Sequence, residues 1–508
     1  MEFLYLFNFI TFFLLLAMFF ASFNQRIKRS ERVNPLKKLP PSPWKLPLIG
    51  NLHNLMDTLP HHTLRDLSTI YGPLMHLQLG EVSAVVISSP RLAKEIMKTR
   101  DLTFAHRPKI QTIWYISEGL DFAFAPYGEY WKQMRKICVQ EVLSTKKVSH
   151  FGSIRHEEFS NLIDSIRFHG SKVAINLTKK ISLSTSAMVN RTAFGNSCKD
   201  HETFSSLVKE IFSAASGFSL QDLYPSWKIL GVLNGTNHKL LRLRQKMDLI
   251  LDGIINDHVI KKNMGTKKEM NHEEDLIDVF LRVRDSGDIR IPITNNHIKA
   301  VLFDIFAGGT ESSSMSVVWA MSEMLRNPHV MTKAQCEIRQ IIKGKKTVEE
   351  NDIPKFNYLK LVIKETLRLH PPLPLLIPRE CREDCEIDGY NIPKGTKVII
   401  NAWANGRNGN YWSNTESFIP ERFENSIIDF KGNDFEYTPF GAGRRICPGM
   451  AFGLANIELP LALLLYHFDW KLPNGKKPED LDMEEAPGLE SRRRNHLWVF
   501  ATPYHTSL

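Results

Sequence analysis

Phe440-Gly441-Ala442-Gly443-Arg444-Arg445-Ile446-Cys447-Pro448-Gly449 is the stretch on which the reading of this chain turns. One cysteine sits in a glycine-rich loop directly before an apolar, helix-like run from Met450 to Phe468. Gly443 and Gly449 allow backbone turns that a Cβ obstructs. Pro448 withholds a donor where a helix start does not need one. Free amides at that start would face the sulfur, and the helix dipole would favour a thiolate. An anionic sulfur among backbone donors is suited to a metal.

Working outward, the longest helical segment runs from Thr294, a plausible N-cap, to Asn327 before Pro328. It would be about 50 Å long, enough to cross a domain. Its middle reads Ala307-Gly308-Gly309-Thr310-Glu311-Ser312-Ser313-Ser314. Adjacent glycines and hydroxyls weaken a helix, so this place can kink and admit water, or its glycines can serve close packing. Glu365 and Arg368 lie three apart on one helical face, and Trp131 and Arg135 lie one turn apart on another. Further helices are expected over 129–143, 240–259 and 358–369. Strands are expected over 82–89 and 398–402, with surface loops at 261–274 and 343–352.

These segments together resemble the cytochromes P-450, the haem-thiolate monooxygenases, closest to plant A-type enzymes that oxidise terpenoids and indole alkaloids. The spacing F-x-x-G-x-R-x-C-x-G carries the resemblance, with the acid–alcohol pair, E-x-x-R, Pro420-Glu421-Arg422-Phe423 and W-x-x-x-R. It implies a mainly α fold of α+β character, a helix-rich triangular body with small β-sheets behind one N-terminal transmembrane helix. It implies haem b, with Cys447 as the iron ligand and Phe440, Gly443 and Gly449 shaping its loop. Trp131, Arg135, Arg379 and Arg445 would hold the two propionates, and Glu311 and Ser312 would deliver protons. Ser312 stands where threonine is commoner, which keeps the hydroxyl but loses the methyl that restricts χ1. A buried Glu365–Arg368–Arg422 network would support the cysteine loop. The Asn405–Gly409 stretch departs from the family pattern, so a looser loop is expected there.

The implied reaction uses O2 and NADPH-derived electrons to hydroxylate an apolar plant metabolite. A sesquiterpene or diterpene is the leading substrate class, and a monoterpene indole alkaloid is the alternative. A reductase-independent isomerase or dehydratase is a third reading, opposed by the retained Glu311–Ser312 pair. Substrate-facing positions would fall within 104–122, 301–305, 375–377 and 487–489. The implied partners are NADPH–cytochrome P-450 reductase, cytochrome b5 and the lipid bilayer. Lys132, Lys136, Arg339 and Arg444 are candidate reductase-facing cations.

The bulk properties agree. A chain of 508 residues without internal repeats can bury one large core, although length alone suggests about three domains. The net charge of +10 comes without a dense basic run interleaved with aromatics. That argues against nucleic acid and for a membrane or acidic partner. Residues 1–24 read as an anchor, 25–50 as a basic and proline-rich hinge, and 51–508 as the monooxygenase domain. The uncharged run Phe3–Phe23 would span about 31 Å as a helix, matching a bilayer core of about 30 Å. Basic residues follow it, which keeps the body cytosolic on the endoplasmic reticulum. The sequons at Asn176, Asn190 and Asn234 would then stay unmodified. Six scattered cysteines fit a reducing compartment. Cys381 and Cys385 form a C-x-x-x-C pair without the companions of a metal site.

Overall fold

A computed structural model describes residues 38–504, apart from 57–58, 196–197, 199–200, 215–218, 228–230, 232–234, 265–273 and 288. The anchor expected at residues 1–24 lies outside the described residues. The helices that build the body are α1 (Pro60–Tyr71), α2 (Glu129–Ile137), α3 (Gly152–His169), α4 (Leu177–Phe194), α5 (His201–Ala214), α6 (Thr236–Asn263), α7 (Asn295–Arg326), α8 (Asn357–Leu369) and α9 (Met450–His467). The strands are β1 (Leu74–Leu79), β2 (Val82–Ile87), β3 (Ile175–Asn176), β4 (Arg379–Glu380), β5 (Cys385–Ile387), β6 (Tyr390–Ile392), β7 (Lys397–Ile400), β8 (Phe468–Lys471) and β9 (Trp498–Pro503). They form a four-stranded sheet in the order β1-β2-β7-β4, a three-stranded sheet β3-β9-β8 and the β5-β6 hairpin. The mainly α body with small sheets is therefore as expected.

α7 threads the whole body. Thr294 caps it, with its side chain on the amide three residues on and His297 returning the bond to the Thr294 amide. Its first half, Ile298–Ala307, packs in one core with residues of α4, α5 and α6. Its second half, Val317–Leu325, packs in another with α3, α8 and α9. The polar middle lies where these cores part. α-Helix runs unbroken from Asn295 to Arg326, through this weak centre. The two glycines differ in purpose. A Cβ on Gly309 would press on Phe452 at 3.2 Å, whereas one on Gly308 meets nothing within 4 Å. Gly309 thus permits close packing on α9, and Gly308 borders open space.

Other boundaries follow local chemistry. The pattern over 129–143 is helical, but α2 ends at Ile137 and continues as a π-helical turn, Cys138–Val142. α9 is long and apolar enough to cross a membrane, yet most of it is buried in the core. Residues 38–50 lie against the body: the His76 amide donates to the Pro41 carbonyl, and Gly50 bridges to Leu79. Asn190, in α4, is buried. The loop at 405–409 is not loose. Asn405 is fully buried, and Arg407 donates to the Leu369 carbonyl at 2.7 Å and stacks 4.0 Å over Trp403. These long-range ties replace the proline that the sequence lacks.

Candidate active site

The cysteine loop is fixed from both ends. The Cys447 amide donates to the Phe440 carbonyl at 2.9 Å, closing the loop on itself. Gly443 has φ +68, and a Cβ there would lie 1.9 Å from the Met97 carbonyl oxygen. Its glycine is therefore required by both conformation and space. Gly449 is different. It caps α9 at φ −92, and its Cβ would sit 3.9 Å from the Cys447 sulfur. Its amide bonds to that sulfur, so its value is close approach and not a turn. Pro448 precedes this cap and lies outside the helix. Phe440 packs edge-on against Phe430 at 5.5 Å.

Burial raises the pKa of Cys447, and the Gly449 amide and the Arg135 guanidinium only partly offset it. The helix-start amide favours the thiolate expected from sequence, and burial opposes it. A bound metal ion would supply the missing positive charge, since a coordinating thiol is deprotonated outright.

Beside it lies a cluster of buried arginines. Arg445 donates to the carbonyls of Ala105 (2.8 Å) and Ala125 (2.6 Å), and its guanidinium lies 4.2 Å over the Trp131 ring. Arg379 pairs with Asp101 at 2.9 Å and donates to the Ala442 carbonyl at 2.7 Å. The Trp131 indole donates to the Phe122 carbonyl at 3.0 Å. Among the described residues no carboxylate pairs with Arg135. A fourth guanidinium, Arg107, was missed by sequence reasoning. It reaches the carbonyls of Ile377, Pro378 and Ala123 and is buried. No local pattern marks it, since a single Arg-Pro step carries no sign of burial.

These guanidiniums are uncomfortable together. Burial, then repulsion from Arg379 and Arg135, pulls Arg445 down to about 9. Burial, then Arg445 and Arg379, pushes Arg107 well below its ordinary value. Burial also lowers Arg379 and Arg135. The carboxylates acting on these four are Asp101 and Asp121. Burial also raises Asp121, weakening its negative charge. The four guanidiniums outnumber the carboxylates acting on them, which leaves surplus positive charge for an anionic ligand. The propionates of haem carry two negative charges, so this donor set fits that group.

The same loop is tied to α7. Asp304 accepts from the amides of Phe122 (2.8 Å) and Ala123 (3.3 Å). The carbonyls of these two residues receive Trp131 and Arg107. Burial and then Asp121 push the Asp304 carboxyl well up, while the two amides oppose the shift.

At the middle of α7, Ser312 and Glu311 point to separate partners. The Ser312 hydroxyl donates to the Gly308 carbonyl at 2.5 Å, facing the open side. Glu311 instead forms an ion pair with Lys209 of α5 at 3.2 Å. Glu490 stands near enough to feel Glu311. Burial, then Glu311, raises its carboxyl to about 7. Sequence reading missed both Lys209 and Glu490, because each arrives from a distant part of the chain.

The predicted support network is assembled. Glu365 accepts from Arg368 Nε (2.7 Å) and Nη2 (2.8 Å), from Arg422 Nε (2.9 Å) and from the Ile419 amide (2.8 Å). Arg368 also donates to the Gly406, Thr415 and Ser417 carbonyls. Of the apolar positions expected to face substrate, Val301 and Ile305 are buried on α7, and Leu376 takes φ +52, 4.0 Å from where a Cβ on Gly441 would lie. Of the four cations expected to face a partner, Lys132 and Lys136 are exposed on α2, and Arg444 is half exposed. Arg339 is not available. It donates to the Phe468 carbonyl at 3.0 Å and lies 3.7 Å from the Tyr504 ring centre.

The family model for cytochrome P-450 matches residues 40–498. The chain is 53% identical over 501 residues to premnaspirodiene oxygenase of Hyoscyamus muticus, covering 98% of this chain and 99% of that one. It is 56% identical over 475 residues to tabersonine 3-oxygenase of Catharanthus roseus, covering 92% and 93%. It is 52% identical over 502 residues to 5-epiaristolochene 1,3-dihydroxylase of Nicotiana tabacum, covering 98% and 99%. Among solved structures, a zebrafish cytochrome P-450 with abiraterone superposes with a TM-score of 0.73 at 25% identity, covering 88% of this chain and 99% of that one.

Proposed function

The chain belongs to the cytochrome P-450 family of monooxygenases, and from that premise we propose that it hydroxylates a terpenoid, a sesquiterpene or diterpene, with O2 and NADPH. The family implies haem with a cysteine thiolate on its iron. The single observation that carries the assignment to these residues is the buried arginine cluster beside the Cys447 thiol. Its surplus positive charge suits the two propionates. Arg107, Arg135, Arg379 and Arg445, with the Trp131 indole, would hold those carboxylates, and Cys447 would ligate the iron. When bound, the haem supplies oxygen activation, with thiolate electron density favouring O–O cleavage.

The protein's own contributions can be assigned to named atoms. Asp304 fixes the loop whose carbonyls orient Trp131 and Arg107. Gly308 leaves room beside α7, where the Ser312 hydroxyl can hand a proton inward. Glu311, the next residue along α7, pairs with Lys209 of α5, which is half exposed, and would supply the acid of the relay. The apolar residues among positions 301–305 and 375–377 would favour a hydrocarbon substrate. Electrons would come from NADPH through cytochrome P-450 reductase, with cytochrome b5 as a further donor. The exposed Lys132, Lys136 and Arg444 would meet the reductase's acidic surface. The N-terminal segment would anchor the protein in the endoplasmic reticulum membrane with its body cytosolic.

A second reading, oxidation of a monoterpene indole alkaloid, rests on the 56% identity to tabersonine 3-oxygenase. Microsomes holding this protein, a plant reductase and NADPH, fed separate terpene and alkaloid panels, distinguish the two. Gain of one oxygen on a terpene supports the first reading. A product from alkaloids alone selects the second, and no product from either panel refutes both. Oxygenated product in this reductase-dependent assay also excludes a reductase-independent isomerase. Ser312→Ala should keep its haem spectrum while losing coupled turnover.

A further inference from the structure

Two thiols outside the active site lie in contact. The sulfurs of Cys381 and Cys385 are 3.7 Å apart. Cys381 is fully buried in the core of the four-stranded sheet, just after β4, and Cys385 opens β5 and is partly exposed. The backbone around them is well defined. The Cys381 amide donates to the Thr396 carbonyl at 3.0 Å, and Cys385 pairs with Ile392 in the hairpin. A disulfide needs its sulfurs at about 2.05 Å, so closure requires only a modest approach of two side chains already facing each other.

No metal reading competes. Among the described residues, neither cysteine joins a group of three or more metal-ligating side chains. The contact joins an accessible thiol to a sequestered one. That is the arrangement of an attacking and a resolving cysteine. The asymmetry extends to acidity. The contact with Cys381 and the nearby Arg100 hold the Cys385 thiol down, while the same contact and burial push Cys381 up.

We propose that Cys381 and Cys385 form a redox-active dithiol that closes to an intramolecular disulfide on exchange with a low-molecular-mass disulfide. The Cys385 thiolate attacks one sulfur of glutathione disulfide, and one glutathione thiolate leaves. Cys381, giving up its proton, then attacks the Cys385 sulfur and expels the second glutathione. Two protein thiols are oxidised to one disulfide, and one glutathione disulfide is reduced to two glutathione thiols. The bond would fasten the end of β4 to the β5–β6 hairpin. Arg379, two residues before Cys381, holds both Asp101 and the Ala442 carbonyl of the cysteine loop. The bond would therefore brace the strand from which the arginine cluster is hung. This site stands apart from the proposed hydroxylation and does not depend on it.

The test uses the full-length holoenzyme, incubated with glutathione disulfide, alkylated and digested with trypsin without reduction. Cleavage after Arg379, Arg382 and Lys394 places the two cysteines on separate peptides, 380–382 and 383–394. The expected result is that these peptides are recovered linked, and come apart on reduction. Recovery of both as alkylated thiols, while the exposed Cys336 has taken up glutathione, overturns the proposal. So does linkage of either one to a different cysteine. Wild-type protein suffices, so no variant has to fold for the result to be decisive.

Discussion

Gly443→Ala, compared with Gly308→Ala, tests how the cysteine loop is built. At Gly443 a Cβ residue must adopt φ +68, which costs about 1–2 kcal/mol for an L-residue. Its Cβ would also lie 1.9 Å from the Met97 carbonyl oxygen, where ordinary contact begins at 3.4 Å. The overlap is 3.4 less 1.9, about 1.5 Å, and it falls on backbone, so the loop must move. Movement disturbs Asp101, which accepts from the Arg444 amide (2.8 Å) and from Arg379 (2.9 Å). Loss of even one such charge-assisted bond adds about 1.5–3 kcal/mol. The expected destabilisation is about 3–5 kcal/mol, focused on the haem-binding loop. Gly308→Ala places its Cβ in open space within a helix, and should be neutral or stabilising by about 0.5–1 kcal/mol. The assay is haem content from the ferrous–CO spectrum, together with thermal unfolding of each variant. Wild-type haem content and stability in Gly443→Ala would refute this account of the loop.

Three further outcomes follow from the same geometry. Glu365→Ala leaves Arg368 and Arg422 buried without their shared carboxylate, and should cost about 3–5 kcal/mol in denaturant unfolding. Asp304→Ala frees the amides of residues 122 and 123, so haem should dissociate faster while helix content by circular dichroism is kept. Glu490 is raised to about 7 in the folded protein, so the native state holds a proton that the unfolded state releases above its ordinary range. Its contribution to stability should therefore fall as pH rises from about 4.5 to about 7, and Glu490→Gln should remove that slope in unfolding measured across the window.

Legibility in the sequence followed the range of the interactions involved. The bounds of α7 could be read to the residue, because Thr294, His297 and Pro328 act on their own neighbours. The E-x-x-R helix and the cysteine loop were legible for the same reason, each being one turn of chain with its own spacing. What escaped was chemistry assembled from distant segments. Arg107 becomes part of the charge cluster only because Ile377 and Pro378, far along the chain, offer it carbonyls. Lys209 finds Glu311 across two helices, and Arg339 is consumed by the β8 strand end and Tyr504. Burial opposes the Cys447 thiolate more than one helix start favours it, so the charge balance of the sulfur could not be read from its loop alone. The loop at 405–409 is firm because Arg407 reaches across to Leu369 and Trp403.

The central claim is that Cys447 is the iron ligand of a haem held by the neighbouring arginines. The most direct measurement is the ferrous–CO difference spectrum of the full-length protein beside Cys447→Ala, with circular dichroism on both. The account predicts the thiolate-type absorption band in the first, and its loss in a folded variant. A thiolate-type band that survives in Cys447→Ala would contradict it.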